Sequence, residues 1–340
     1  ASAETHTWIE KAVDIMGLGP QSLQRIPVDA RGRMQVDALR QSIADDRASG
    51  LVPLAVIGTA GTTNTGSIDP LAAMGTLCRE KSIWFHVDGA YGAPAAAVLR
   101  DDEDLRAIGG ADSVSVDPHK WLYAPLEAGC ALVRDAARLR DTFAHYPPYY
   151  HFDLAEGEPV YNYYEYGPQN SRGFRALKVW LALRQVGRAG YVQMIEEDIS
   201  LAAMLFRSVS ANEYLEAVTC ELSIVTFAFV PPDLKGDKAN AEYLNELNTE
   251  LLSELQQSGD LYVSNAVIDG RFLLRACIVN FRTSADDVIE TVDIVVRTGM
   301  ALDEKLRKRG GEPVARGAGT QAENGAANQN FPSRRPAASS

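Results

Sequence analysis

Residues 83–92 read Ile-Trp-Phe-His-Val-Asp-Gly-Ala-Tyr-Gly, and residues 113–121 read Ser-Val-Ser-Val-Asp-Pro-His-Lys-Trp. In each stretch a short apolar segment gives way to polar and small residues, which is typical of a strand that ends at a loop. A third stretch of this kind, residues 52–58, precedes the polar run Gly-Thr-Thr-Asn-Thr-Gly-Ser at 61–67. Because helical patterns separate these stretches, the sequence predicts a mostly parallel sheet covered by helices.

Other segments of the first half extend this pattern. An extended piece at 24–28 and an apolar segment at 129–133 bring the candidate strands of this sheet to about five. Thr7 and Glu10 have the spacing of a capping box at the start of the first helix. Asp69, directly before a proline, predicts the N-cap of a later helix.

The second half predicts a smaller α/β unit. Helical periodicity covers 174–186, 192–208, 239–257 and 285–308, and strand patterns cover 223–230, 261–267 and 272–281. Residues 145–168, between the two units, are rich in tyrosine and proline without clear periodicity, which indicates a functional loop. After Arg309 the composition turns to small and polar residues, so residues 310–340 are expected to be disordered.

Composition limits the classes of function. The 340 residues carry 45 acidic and 33 basic side chains, a net charge of −12, which argues against binding to a nucleic-acid backbone. No apolar run approaches the ~18 residues of a membrane span, and no secretory signal is recognised at the N-terminus. Four cysteines without a CxxC pair predict buried free thiols in a reducing compartment, and no metal site is expected. We therefore expect a globular, cytoplasmic protein that binds neither nucleic acid nor membrane.

Three side chains that could take part in catalysis or binding follow different strands of the predicted sheet: Thr63, Asp88 and Lys120. Taken singly, Asp88 could be a salt-bridged acid and Lys120 a surface lysine. Because the carboxyl ends of parallel strands meet at one edge, we expect all three to converge there. This combination is typical of a pyridoxal phosphate (PLP) site. Such a site needs an acid that keeps the ring nitrogen protonated, a lysine that forms an imine and a flat side chain that covers the ring, for which His6 is the candidate. His86, two residues before Asp88, is interpreted as a packed, hydrogen-bonded core histidine rather than a catalyst.

The sequence resembles the group II PLP-dependent amino-acid decarboxylases, of which the aromatic-L-amino-acid decarboxylases are one branch. The resemblance covers about 305 residues from the start of the chain and rests on five motifs. They are His-Thr-x-x-x-Lys-Ala at 6–12, Gly-Thr-Thr-x-Thr-Gly-x-x-Asp-Pro at 61–70, His-Val-Asp-x-Ala-Tyr at 86–91, Asp-Pro-His-Lys-Trp-Leu at 117–122 and Ser-Arg-Gly-Phe-Arg-Ala-Leu-Lys-Val-Trp at 171–180.

The resemblance implies the aspartate aminotransferase-like α/β fold (fold type I of the PLP-dependent transferases), with a mostly parallel large domain and a smaller C-terminal α/β domain. The implied parts are the C-terminal portion of the PLP-binding large domain at 1–145, an aromatic active-site loop and connecting helix at 146–195, the small domain at 196–309 and a disordered tail at 310–340. The phosphate-binding loop and first strands of the family would precede residue 1. We therefore expect an N-terminally truncated chain that binds PLP poorly and lacks full activity.

The resemblance also implies roles for residues around the cofactor. Lys120 would form the internal aldimine, and Asp88 would pair with the pyridinium nitrogen. His6 would stack on the ring and lie near the reacting carbon. Thr63 would lie beside the ring, and Ala90 would pack against its other face.

Further implied roles concern the substrate and the phosphate. His119 would help to hold the phosphate or the substrate carboxylate, and Arg172 would lie near the substrate. Tyr163, found by counting back from the motif at 171–180, would donate a proton to the quinonoid, although neighbouring tyrosines compete for this position. Asp117 stands where many relatives have Asn, and a second negative charge there needs a cation or a proton to offset it.

The resemblance implies decarboxylation of an L-amino acid to its amine and CO2, with PLP as cofactor, in a homodimer. The aromatic loop suggests an aromatic substrate, but the same residues could serve packing. Two alternatives stay open. One is a PLP-dependent aldehyde synthase, in which decarboxylation is coupled to oxidative deamination. The other is a catalytically impaired, truncated paralogue that acts as an interaction protein.

Overall fold

The computed structural model describes residues 1–147 and 161–309. Within them, a first sheet contains four strands in the spatial order β1-β2-β3-β4. They are β1 (Ala55–Thr59), β2 (Trp84–Asp88), β3 (Ser113–Val116) and β4 (Cys130–Val133). The first three run parallel and β4 is antiparallel to β3, which confirms the mostly parallel sheet. The extended piece at 24–28 makes only isolated bridges, so the described part of the chain has four strands here rather than five.

Helices pack against this sheet and bury its apolar side chains. The helices along this part of the chain are α1 (Trp8–Ile15), α2 (Val36–Ala48), α3 (Leu71–Lys81), α4 (Glu103–Ala107) and α5 (Ala136–Phe143). The apolar faces of α2 and α3 pack against the sheet in one hydrophobic core, because every second strand residue points toward them. This core includes Leu39, Ile43, Met74, Phe85 and Val87.

The start of α1 differs from the capping box expected there. Thr7 is the N-cap residue, but its side chain makes no capping hydrogen bond. The backbone N–H of Trp8 instead donates to Nδ1 of His6 at 3.1 Å. The Thr7 hydroxyl therefore does not accept the N–H of Glu10, so the predicted capping box is wrong, and the imidazole of His6 instead satisfies the free N–H of Trp8 in the first turn.

The start of α3 also differs from the prediction. Its N-cap is Pro70 rather than Asp69. The buried Asp69 carboxylate accepts the backbone N–H of Met34 at 2.7 Å and that of Thr59 at 2.8 Å. The carboxylate therefore pairs with these two N–H groups and does not cap the helix, since an unpaired buried N–H would be costly.

A long helix, α6 (Arg175–Ala211), leads from the first sheet to the second. Gly187 has φ 68° and ψ 171° inside it, so α6 consists of two helical segments joined at a kink. These segments correspond to the helices expected at 174–186 and 192–208. The predicted domain boundary after residue 195 falls inside α6, and the division of the chain into domains stays a prediction.

The second sheet is antiparallel, with the spatial order β5-β6-β8-β7. Its strands are β5 (Leu215–Glu221), β6 (Ile224–Phe229), β7 (Ser264–Ile268) and β8 (Arg271–Cys277), and it packs with α7 (Ala241–Ser258) and α8 (Ala285–Lys308). The sequence did not predict β5. This edge strand is only half-buried after Leu215, so it lacks the apolar run that marks the other strands.

Some expectations concern single residues or terminal segments. All four cysteines are free thiols, but only Cys78 is buried: Cys220 and Cys277 are half-buried and Cys130 is exposed, so the expectation of burial is confirmed for Cys78 alone. None of the described helices is long and apolar enough to cross a membrane. The tail at 310–340, and residues 148–160 of the aromatic loop, lie outside the described residues.

Candidate active site

The loops that follow β1 and β2 lie side by side at the carboxyl edge of the first sheet. The backbone N–H of Ala60 donates to the carbonyl of Asp88 at 2.8 Å, and the N–H of Gly92 donates back to the carbonyl of Ala60 at 3.1 Å. β3 ends at the same edge because it is parallel to β2. The residues expected to converge therefore follow strands whose ends are adjacent.

Asp88 is the last residue of β2 and is half-buried. Its Oδ1 accepts the hydroxyl of Ser115 at 3.1 Å and the backbone N–H of Ala90 at 3.1 Å. Gly89 lets the chain turn closely over β3, since a Cβ there would lie 2.6 Å from the Cβ of Ala93 and 3.2 Å from the carbonyl of Ser115. These contacts hold the carboxyl group in a fixed orientation at the strand end.

Lys120 lies in the turn that follows β3. Its Nζ is 3.0 Å from Oδ2 of Asp117, and its side chain is 41% exposed. The backbone N–H of Asp117 donates to the carbonyl of Ala90 at 3.0 Å. The turn that carries Lys120 is therefore attached directly to the loop that follows Asp88.

His119 is half-buried next to the lysine. Its Nδ1 lies 2.8 Å from the carbonyl oxygen and 3.1 Å from the backbone nitrogen of Ala128. Its Nε2 is 3.9 Å from Oδ2 of Asp117. The ring is thus held by the loop before β4 and faces the acid that also contacts Lys120.

Thr63 lies in a loop that is stiffened by its own hydroxyl groups. Thr62 and Thr65 share a hydrogen bond of 2.9 Å, and Thr65 and Ser67 share one of 2.7 Å, all with buried side chains. Thr63 itself is exposed. The polar run at 61–67 is therefore not simply a solvated loop, because hydrogen bonds between its buried hydroxyls fix the backbone conformation that holds Thr63 at the surface.

His6 belongs to a segment that contacts this loop. Asn64 donates through Nδ2 to Oε2 of Glu4 at 2.9 Å, which places the N-terminal segment against residues 61–67. His6 is exposed, and its Nδ1 is used by the backbone N–H of Trp8. The segments that carry His6, Thr63, Asp88, Ala90, His119 and Lys120 thus form one connected set.

Tyr163 and Arg172 are exposed, and among the described residues no hydrogen bond or ion pair joins them to that set. Tyr163 begins a short 3-10 turn, Tyr163–Tyr166. In this turn Glu165 is buried and pairs with Arg140 at 3.0 Å. The start of α6 is tied to the loop before β4 by Arg175, which pairs with Glu127 at 2.6 Å.

His86 is half-buried, and its Nδ1 lies 2.8 Å from the hydroxyl of Ser113. Burial lowers the pKa of the His86 imidazole below its ordinary value. The side chain is thus hydrogen-bonded within the sheet, in agreement with its interpretation as a core histidine.

Sequence reasoning missed a cluster of buried residues behind the lysine. Tyr91 and Trp121 stack with ring centroids 4.8 Å apart, and Trp121 donates to Asp198 of α6 at 2.9 Å. Burial raises the pKa of the Asp198 carboxyl above its ordinary value. The available signal was helical spacing, because Asp198 follows Ile195 by three residues and so lies on the apolar face of α6.

The chemistry of these groups fits PLP. An aldehyde-bearing, phosphorylated pyridine needs a primary amine to bind covalently and a carboxylate to face its ring nitrogen. Lys120 and Asp88 supply these groups on adjacent loops, and His119 adds an imidazole beside them. Ala90, whose carbonyl accepts the N–H of Asp117 and so joins the two loops, has only a small side chain.

Residues 1–230 match the sequence model of the family described as "Pyridoxal-dependent decarboxylase conserved domain". The chain is 36% identical over 290 residues to the aromatic-L-amino-acid decarboxylase of Bacillus atrophaeus, covering 85% of this chain and 60% of that protein. It is 30% identical over 306 residues to a phenylacetaldehyde synthase of a Rosa hybrid cultivar, covering 88% of this chain and 60% of that protein.

Solved structures give the same result for the fold. The crystal structure of Catharanthus roseus tryptophan decarboxylase in complex with L-tryptophan matches with a TM-score of 0.78 at 29% identity. The match covers 88% of this chain and 62% of that chain. The chain thus spans about 60% of the length of the proteins to which it is similar.

Proposed function

Since the chain belongs to the pyridoxal-dependent decarboxylase family, we propose that it forms the catalytic part of an enzyme that removes the α-carboxylate of an L-amino acid as CO2 and releases the amine. One observation carries this proposal. The turn that holds Lys120 is hydrogen-bonded to the loop after Asp88, from the N–H of Asp117 to the carbonyl of Ala90 at 3.0 Å. An amine and a carboxylate on two loops joined in this way can both reach the same PLP molecule.

When bound, PLP supplies an electron sink for the electron pair that remains when the bond between Cα and the carboxylate breaks. Lys120 would hold the cofactor through Nζ, which must first leave Asp117. Asp88 would keep a proton on the ring nitrogen, with its Oδ1 fixed by Ser115 and Ala90. A protonated ring nitrogen draws electrons more strongly than a neutral one, so this carboxylate sets the strength of the sink.

Other residues would bind the substrate and move protons. His6 would cover one face of the ring and Ala90 the other, while Thr63 would lie beside it. His119 would bind the phosphate or the substrate carboxylate, and Arg172 would lie near the substrate. Tyr163 would give a proton from its phenol oxygen to Cα after CO2 has left, which completes the amine.

We propose an aromatic L-amino acid as the substrate. The similar proteins include an aromatic-L-amino-acid decarboxylase, and one of the solved structures that resemble this chain is a complex with L-tryptophan. A homodimer is also proposed. It is supported by α1, which buries none of its residues and exposes Trp8 and Ile15, followed by the exposed C-cap residue Met16. The cytoplasmic location stays a prediction.

A second candidate is an aldehyde synthase, because phenylacetaldehyde synthases are among the similar proteins. A tyrosine as proton donor, which the resemblance assigns to Tyr163 among several neighbouring tyrosines, favours the decarboxylase.

The test is a product screen with the chain expressed together with any coding sequence upstream of residue 1, loaded with PLP. L-tryptophan, L-tyrosine, L-phenylalanine and L-glutamate are supplied separately, and amine, aldehyde, ammonia and CO2 are measured. We expect amine and CO2 in equal amounts from an aromatic substrate, and neither from Lys120→Ala. Aldehyde with ammonia would replace the proposal by the second candidate. No turnover of any amino acid, with Lys120→Ala indistinguishable from the wild type, would favour an interaction protein.

A further inference from the structure

Two aromatic residues that closely follow Lys120 donate hydrogen bonds to the same buried carboxyl oxygen. Nε1 of Trp121 lies 2.9 Å from Oδ2 of Asp198, and the hydroxyl of Tyr123 lies 2.6 Å from that oxygen. Trp121 is 0% exposed and Asp198 is 2% exposed. A buried carboxylate is costly unless hydrogen-bond donors face it. Removing the acid or either donor would therefore leave a buried polar group without its partner and destabilise the fold.

The backbone after Lys120 adopts a conformation that needs such support. Tyr123 has φ 51°, in the left-handed region that residues with a side chain rarely occupy. Its ring packs edge-on against Phe281 at 5.6 Å and parallel to Tyr191 at 6.4 Å. The hydroxyl of Tyr191 also donates to the carbonyl of Leu122 at 3.1 Å. The second half of α6 therefore holds this turn through three hydrogen bonds, two of which end on Asp198.

The same unit reaches the loop that carries Asp88. The ring of Trp121 stacks on that of Tyr91 with centroids 4.8 Å apart and planes inclined by 13°. Tyr91 follows Asp88 by three residues, and its hydroxyl shares a hydrogen bond of 2.7 Å with Ser223. A change in the position of Trp121 would therefore alter the spacing between the loop of Asp88 and the turn of Lys120.

We propose that Asp198 is a positioning residue that sets where the amine of Lys120 lies relative to the carboxylate of Asp88. This inference rests on the proposed function, because it concerns how these two groups meet one cofactor. Asp198 touches neither group and acts through Trp121 and Tyr123. A displacement of about 1 Å at reacting atoms can slow a reaction ~100-fold, so a support behind the lysine can matter as much as a contact with it.

Three substitutions test the unit in graded steps. Asp198→Asn keeps an acceptor oxygen but loses the charge that strengthens both hydrogen bonds. Asp198→Ala removes the acceptor and leaves two buried donors unpaired. Tyr123→Phe keeps Asp198 and removes one donor. A matched control is Asn248→Ala, because Asn248 is equally buried and pairs with the backbone of Phe229 in the core of the second sheet.

Two readouts separate positioning from a general loss of stability. The first is hydrogen exchange of residues 118–126 in the protein without PLP, relative to residues of β6. The second is the rate at which PLP forms a borohydride-trappable adduct at Lys120, located by peptide mapping, together with the visible circular dichroism of the bound cofactor. Both are measured per folded molecule, with the folded fraction taken from urea titrations.

We expect Asp198→Asn and Tyr123→Phe to speed exchange of residues 118–126 about fivefold and to slow adduct formation about tenfold, with a weaker dichroic band. Asn248→Ala should lower stability without these effects. The inference is overturned if the Asp198 variants lose stability as Asn248→Ala does while adduct rate and dichroism stay at wild-type values. If the wild type itself forms no adduct at Lys120, the proposed function fails and this inference fails with it.

Discussion

The ammonium group of Lys120 lies 3.0 Å from Oδ2 of Asp117, three residues earlier in the same turn. A carboxylate near the expected cofactor phosphate needs a cation to offset its charge, and Lys120 supplies that cation. The lysine is thus the expected attachment point for PLP and is held by an acid before PLP arrives. We therefore expect this ion pair to restrain the amine before PLP binds.

Asp117→Asn should speed the formation of the PLP adduct at Lys120. Ion pairs that water can reach contribute up to about 1 kcal/mol, so we expect a gain of about fivefold in the rate. Visible absorbance with borohydride trapping measures it. Glu304→Gln, which breaks an exposed pair with Lys308 in α8, is the control and should change nothing. A slower rate in Asp117→Asn would show that the carboxylate assists the lysine instead of restraining it.

Arg140→Met should loosen the turn that carries Tyr163. Glu165, two residues after Tyr163, has a side chain only 4% exposed, and Arg140 is its cationic partner at 3.0 Å. Without that partner the buried carboxylate favours an open loop, so limited proteolysis within 161–167 should become about fivefold faster. The matched control on the same helix is Arg138→Met, since Arg138 pairs with exposed Asp135 at 3.7 Å. Equal cleavage of the two variants would mean that the ion pair does not hold the turn.

The parts of the site that sequence reasoning found are those that depend on local pattern. Asp88 and Lys120 could be located because each follows a short apolar strand, and parallel strands end at one edge. Asp198 could not be assigned a partner, because it lies 77 residues from Trp121 along the chain. Asp69 illustrates the same limit: a local rule favoured a helix cap, whereas the fold brought the N–H of Met34, 35 residues away, to its carboxylate. Edge strand β5 was missed because half-burial leaves no continuous apolar run.

Tyr163→Phe should shift the products from amine toward aldehyde and ammonia. The phenol proton is expected to complete the amine at Cα. Without it, dissolved O2 would take the two electrons left at Cα after CO2 is lost and be reduced to H2O2, and water would then release the aldehyde and ammonia. Product analysis by mass spectrometry measures the ratio. Tyr161→Phe removes a hydroxyl from an equally exposed neighbour and serves as the control. If only Tyr161→Phe changes the ratio, the assignment of the proton donor moves to Tyr161.

Gly66→Ala should destabilise the contact between the loop at 61–67 and the second sheet. Gly66 has φ 80°, and a Cβ there would lie 2.5 Å from the backbone carbonyl oxygen of Glu221, which cannot rotate away. We expect a loss of roughly 2–4 kcal/mol in the free energy of unfolding, measured by urea titration. Gly17→Ala isolates the backbone contribution, because Gly17 has φ 75° with open space around it, and should cost about 1 kcal/mol. Equal losses at both positions would contradict the close contact with Glu221.

Asp69 should make the stability of the protein fall as the pH rises from about 4 through 6. Burial raises the pKa of this carboxyl from 3.8 to about 6 in the folded state. The folded protein therefore binds a proton here more tightly than the unfolded chain does, and the stability that this proton contributes is lost as the pH rises through 6. With one pKa unit worth about 1.4 kcal/mol, the loss between pH 5 and 7 comes to about 1 kcal/mol.

Asp69→Asn isolates this contribution when the α-amino group of Ala1 is acetylated in both proteins, because burial lowers the pKa of that amine to about 6 and it interacts with Asp69. The amide cannot titrate, and it offers one acceptor where the N–H groups of Met34 and Thr59 require two, so the variant should be less stable at every pH. Urea titrations of both proteins at pH 5 and pH 7 give the comparison. The stability difference between wild type and variant should be larger at pH 5 than at pH 7 by about 1 kcal/mol. A difference that grows toward pH 7 would mean that the carboxylate is stabilised, not penalised, by its buried position, and that its two backbone hydrogen bonds outweigh desolvation.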